Sequence, residues 1–130
     1  MLITSIPQFI QGLTNAKLDL ISTNATVLYT APSTSDFNVS IVNSILVSNY
    51  TTGADTITVT ITDATSDATV FSLFKLKAVA ANTTVELLTR DLILKSGEIL
   101  TATAATADTI EVVASIQEFI KQRISTSAVL

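Results

Sequence analysis

The stretch "DTITVTITD", Asp55 to Asp63, alternates without a break. Ile57, Val59 and Ile61 occupy every second place, and Thr56, Thr58, Thr60 and Thr62 stand between them. A period of two is that of a strand with one buried face. Threonine suits the other face, because its branched carbon fits the pleat and its hydroxyl meets water. The pattern predicts Ile57, Val59 and Ile61 buried, with Thr58 and Thr60 largely exposed. Related short segments follow along the chain: "TVLYT" at Thr26–Thr30, "NVSIVNSILVSN" at Asn38–Asn49, "VFSLFKLK" at Val70–Lys77, "TVELL" at Thr84–Leu88, "DLIL" at Asp91–Leu94, "EILTATA" at Glu98–Ala104 and "TIEVVASIQ" at Thr109–Gln117. Turn residues separate them, in "APSTSD", "YTTGAD", "DATSDAT" and "KSGE". About eight strands at this spacing, with no long helical stripe among them, predict an all-β fold: an antiparallel sandwich of two sheets. A jelly roll is expected ahead of an immunoglobulin-like order.

The ends read differently. Residues 1–16 carry no side-chain charge but include Ile6, Phe9, Ile10 and Leu13. Such a segment must lie on something. It is either an extra strand or lid on its own domain, or an arm that packs on a neighbouring copy. After the last strand, Ile116, Phe119, Ile120 and Ile124 follow helical spacing and predict a short C-terminal helix, with Lys121 and Arg123 well placed for its dipole. The expected organisation is therefore an arm at 1–16, a sandwich at 17–118 and an extension at 119–130.

Two strands carry apolar residues on both faces. In Asn38–Asn49 the pattern places Val39, Ile41, Ile45 and Val47 on one side, yet Val42 and Leu46 fall on the other. In Val70–Lys77, Phe71 and Leu73 oppose Val70, Phe74 and Leu76. The second face needs a cover, either a loop of the same chain or another subunit. Val42, Leu46, Phe71 and Leu73 join Ile6, Phe9, Ile10, Leu13, Phe119 and Ile120 as candidate assembly contacts.

Composition removes most chemistry. The 130 residues contain no cysteine and no histidine, so the usual thiolate and imidazole nucleophiles, bases and metal ligands are missing. Seven basic residues are scattered against eleven acids, which argues against nucleic-acid binding and against attraction to anionic membranes. No apolar run approaches the ~18 residues of a spanning helix, and a basic region followed by an apolar run is not evident at the N-terminus. Asp63 and Asp67, with Asp55 a strand away, could suggest calcium, but their spacing lacks the loop pattern, and aspartate favours turns for its own reasons. Glu86, Glu98, Glu111 and Glu118 stand at ordinary strand or turn positions, and no nucleophile elbow or phosphate loop appears. No catalytic, cofactor-binding or metal residue is expected.

The segments "VLYTAP" (27–32), "IVNSILVSN" (41–49) and "AANTTVELLTRDLILKSGEILTATAATADTIEVVASIQEF" (80–119) resemble small structural proteins of tailed bacteriophages, notably those infecting marine cyanobacteria. The shared elements are a "LYT-P" first strand, a "V-N" strand end, "AN-T-ELL", and "L--GE-L-A-A" running to the close. The resemblance spans about Val27 to Glu118. It implies a non-enzymatic β-sandwich present in several copies in a virion, as head decoration, neck or collar, or tail component. A threonine- and serine-rich surface of low charge would let identical copies sit side by side without strong repulsion. The competing readings are a carbohydrate-binding or adhesive module of a host-recognition fibre, with an exposed Tyr29 or Tyr50 beside loop carboxylates, and a small hydrolase with converging acids.

Overall fold

In the computed structural model, residues 7–33 and 38–123 are described, with side chains at 12–33 and 38–119. Nine strands run in order: β1 (Pro7–Asp19), β2 (Thr26–Thr30), β3 (Asn38–Asn49), β4 (Asp55–Thr62), β5 (Val70–Val79), β6 (Thr83–Glu86), β7 (Leu92–Lys95), β8 (Ile99–Ala104) and β9 (Ile110–Arg123). They form two antiparallel sheets, the sandwich that the alternation predicts. One has the order β1-β9-β3-β6, with β7 also on β3; the other has the order β2-β8-β4-β5. The connections β1–β2, β2–β3, β3–β4, β5–β6, β7–β8 and β8–β9 all pass from one sheet to the other.

The core is filled from alternate positions of the central strands. Ile57 and Val59 from β4 meet Leu100, Ala102 and Ala104 from β8, with Ile110, Val112, Ala114 and Ile116 from β9 opposite. Small alanines on β8 and β9 leave room for the larger Ile45, Leu94 and Leu20. In β4 the predicted parity holds, although Ile61 is only partly buried against the core. The threonine face is drier than expected: Thr58 and Thr60 are half-buried, since β4 is a central strand flanked by β5 and β8. Thr58 Oγ1 also accepts a hydrogen bond from the Leu76 amide, at 3.1 Å.

The C-terminal helix expected from Ile116 onward is a strand instead. β9 continues between β1 and β3 as far as Ile120 and on β1 alone through Arg123, with Phe119 opposite both Gln11 and Val39. Ile116 and Ile120 fit a two-residue period as well as a helical one, and two flanking ladders that satisfy the backbone decide between them. Ile124 lies outside the described residues. Of the two readings of the N-terminus, residues 7–16 form an extra strand of their own sheet, paired residue by residue with β9. The boundaries expected after Ala16 and Glu118 both fall inside strands.

In β3 the pairing with β9 steps from Val42↔Ile116 to Ser44↔Ser115, so Asn43 is one residue too many. This bulge switches the buried parity. Before it, Asn38, Ser40 and Val42 point inward; after it, Ile45, Val47 and Asn49 do. Val39 and Ile41 are therefore not on the face of Ile45 and Val47, and Val42 belongs to the core.

Glu86 closes this bulge. Its carboxylate accepts the Ile45 amide at 2.8 Å, the Leu88 amide at 3.2 Å and the Ser44 hydroxyl. Burial pushes the Glu86 carboxyl up, but the bonds from Ser44 and from the Ile45, Leu88 and Leu87 amides outweigh it and hold the group below its ordinary range. A depressed folded pKa contributes stability that is present at neutral pH and lost as the pH falls through the folded value. Wild type should therefore lose more stability than Glu86→Gln on acidification from pH 6 to below about 4. Thermal melts of the two across that range make the test; parallel curves would mean that Glu86 carries no such linkage.

Candidate assembly surfaces

A sandwich has sheet edges, where main-chain N–H and C=O groups have no strand to meet. Three of the edges here are interrupted. β2 has five residues and a register shift between Val27 and Tyr29. β6 and β7 have four residues each. β5 shifts register twice against β4, carries Lys75 and Lys77, and puts Leu76 in the left-handed region at φ 51°. Short strands, bulges and lysines all impede pairing with another strand. The fourth edge, β1, is different: thirteen residues pair with β9 in unbroken register, and its only charges are Lys17 and Asp19.

The candidate contacts separate accordingly. Leu13, on β1, is 78% exposed, the most exposed large apolar side chain described. Phe71 is exposed on β5 together with Val70 and Leu76. Leu73 is not on the free face: the two bulges of β5 bring consecutive residues Leu73 and Phe74 both against the core. Leu46 is exposed on the outer side of β3, whereas Val42 is fully buried and unavailable to a partner. Phe119 is half-buried. Phe9, Ile10 and Ile120 lie in the paired part of β1 and β9 with side chains outside those described, and Ile6 lies outside the described residues. The periodicity did not single out the exposed Ile21 and Ile93, at a loop and on β7.

The polar groups raised as possible chemistry serve the fold. The Asp55 carboxylate accepts the Thr56 amide at 2.8 Å, the Thr106 amide at 3.2 Å and the Thr109 hydroxyl, tying the start of β4 to the β8–β9 turn. The Asp63 carboxylate accepts a long bond from the Thr65 hydroxyl within its own turn. Among the described residues, no three acidic side chains come together so as to hold a metal ion. Tyr29 crosses the sandwich: its hydroxyl donates to Glu118 at 2.5 Å and lies 2.9 Å from Ser40 Oγ. Burial pushes this phenol up, and the Glu118 carboxylate pushes it further. Tyr29 is thus a strut between sheets rather than an open platform. Tyr50 is half exposed; lost hydration raises its phenol, and the charges of Asp19, Asp108 and Glu111 add to that. A shallow groove of about 290 Å³ crosses β1, β9 and the β3 bulge, lined by Leu13, Asn15, Asn43, Ser115 and Gln117 among others, with no aromatic ring in its wall.

No protein-family model matches the chain, and no curated protein matches it. Solved structures do. The infectious bursal disease virus structure solved as a T13 viral particle aligns over 88% of this chain, with TM-score 0.55 and 12% identity. The match spans about a third of that viral chain, 31%. The capsid structure of Helicobacter pylori bacteriophage KHP30 aligns over 92% of this chain and 99% of its own, with TM-score 0.51 and 13% identity. A Bacillus endospore appendage, described as a family of disulfide-linked pili, aligns over 92% and 94%, with TM-score 0.51 and 14% identity. At these identities the likeness is one of fold: this chain has the two-sheet β-sandwich also used in viral capsids.

Proposed function

We propose that this protein is a non-enzymatic structural component of a bacteriophage virion, present in several copies and joined to its neighbours through apolar edges of the sandwich. The carrying observation is the near end-to-end likeness to a phage capsid chain, 92% of one on 99% of the other. The resemblance of Val27–Glu118 to structural proteins of tailed phages, including those of cyanobacteria, points the same way. So does the winding. Six connections that cross between sheets and the orders β1-β9-β3-β6 and β2-β8-β4-β5 read as a jelly roll, a scaffold frequent in viral capsids. The acids and tyrosines tested above are engaged in turns and struts, or stand apart, so they favour neither a hydrolase nor a sugar platform. Partners are further copies of this chain and other virion proteins, with no role for nucleic acid, membrane or cofactor.

Head, neck and tail positions are separated by labelling. Antibody to the protein, with immunogold on particles purified from cells that carry the gene, should mark phage particles at one recurrent place. Label found only on cell-surface filaments, or only in the soluble fraction, would overturn the virion reading and leave the fold untouched.

A further inference from the structure

The uninterrupted edge of β1 has a definite polarity. The Leu20 amide, next in register after Asp19↔Glu111, donates to the Ile110 carbonyl at 3.0 Å. The Asp19 carbonyl accepts instead from Ile21, away from β9. Main-chain groups alternate direction along an antiparallel strand. Counting back from Leu20, Leu18, Ala16, Thr14 and Gly12 turn their N–H and C=O toward β9, while Leu13, Asn15 and Lys17 turn theirs outward. Among the described residues, no strand lies on that side.

The geometry points to β1 as a strand-pairing site whose occupant is β1 of a second copy, antiparallel about a two-fold axis near Leu13–Asn15. A row of outward amides and carbonyls is matched by another extended backbone. On a second copy, β2, β5, β6 and β7 are too short or too bulged to supply one, which leaves β1 itself. The strand also meets itself without a clash of like charges. With the axis at Leu13, Thr14 or Asn15, Lys17 and Asp19 of each copy fall opposite uncharged residues between Pro7 and Leu13 of the other. Pairing would cover the exposed Leu13 and join the two larger sheets into one. An isologous contact of this kind closes on itself and makes a dimer, the unit from which larger symmetric assemblies are built. This inference rests on the reading that copies of the chain assemble with one another.

Asn15→Pro removes an outward amide and no main-chain bond to β9; the one bond to β9 it takes away is the long one from the Ser115 hydroxyl to the Asn15 side chain, at 3.4 Å, so the domain should melt within a few degrees of wild type. Light scattering should then show the wild-type dimer replaced by monomer. Ala16→Pro, which removes a bond to β9, should lower the melting temperature instead. Because the chain has no cysteine, Leu13→Cys, Thr14→Cys, Asn15→Cys and Lys17→Cys, made one at a time, give a second readout that does not depend on proline. Mild oxidation should yield a disulfide-linked dimer, with a maximum at one position and a decline on either side. Two results would overturn the β1 contact while leaving self-assembly intact: a folded Asn15→Pro protein that remains oligomeric, or uniformly absent cross-linking in an oligomeric protein. A wild type that stays monomeric at every concentration would overturn the contact and the self-assembly beneath it, whatever the immunogold labelling of particles shows.

Discussion

Val59→Asp is expected to abolish the folded domain, and Thr58→Asp, one residue away, to leave it standing. Val59 is fully buried in the middle of β4, opposite Ala102 on β8 and Phe74 on β5. A carboxylate there has no cation or donor placed for it, and an unpaired buried charge costs about 4 kcal/mol or more. Small domains have only about 5–15 kcal/mol to lose. Thr58 points to the other face, half-buried, with its Oγ1 accepting from Leu76. An aspartate at that place can still accept this bond and reach water, so its cost should stay near 1 kcal/mol or below. Circular dichroism and a thermal melt of both variants decide the matter. Equal behaviour would mean that the inward and outward faces of β4 are misassigned.

Asn49→Ala should be nearly as damaging, although it removes only a small polar group. Asn49 is 2% exposed and ends β3. Its Nδ2 donates to the Gly53 carbonyl at 2.8 Å and to the Val79 carbonyl at 3.1 Å. Its Oδ1 accepts from the Thr51 amide at 2.9 Å and from the Thr51 hydroxyl at 2.8 Å. One side chain thus builds the β3–β4 turn and anchors it to the end of β5. Truncation removes four bonds at once and strands the buried Val79 carbonyl, for a cost of about 2–4 kcal/mol and a drop of roughly 10 °C in Tm. Asn49→Asp separates chemistry from size. It keeps the acceptor for Thr51 but sets a carboxylate against two carbonyl oxygens, so it should be no better than alanine. Should either variant melt like wild type, the turn does not depend on Asn49.

The sandwich was legible because β4 alternates without a break and β8 and β9 do so over much of their length, and burial follows that parity through Val59 in β4, through all of β8 and from Ile110 to Ile116 in β9. Three features were not. A bulge is a local insertion with no period of its own, so the extra residue at Asn43 inverted the face assignment of Val39, Ile41 and Val42. The paired bulges of β5 did the same to Leu73. The end of β9 looked helical because Ile116 and Ile120 satisfy both periods and Phe119 adds a helical spacing, and only the neighbours β1 and β3 resolve them. The resemblance to phage proteins, by contrast, carried information that its strings alone did not explain. Its "V-N" strand end is Asn49. The glutamate of "ELL" is Glu86, which closes the β3 bulge. In "GE", Gly97 adopts φ 80°, which side-chain-bearing residues rarely take, and the Glu98 carboxylate accepts the Lys95 amide at 2.6 Å. These residues are engaged in backbone bonds and a turn, so the motifs at these places mark positions that the scaffold itself requires.

The pairing of the first strand with the last also sets a clock. Leu13 meets Gln117, and Pro7 meets Arg123, so β1 finds its described partner only when β9 has been made. On the ribosome, β1 leaves the exit tunnel before its partner and would wait for it while the seven strands between them are made. Contacts of such long sequence separation form late and slowly. Neighbouring nascent chains on one message would present the same open strand to each other throughout that interval. The pace of translation over the last strand, rather than the first, then governs how long each chain remains open to capture by its neighbour.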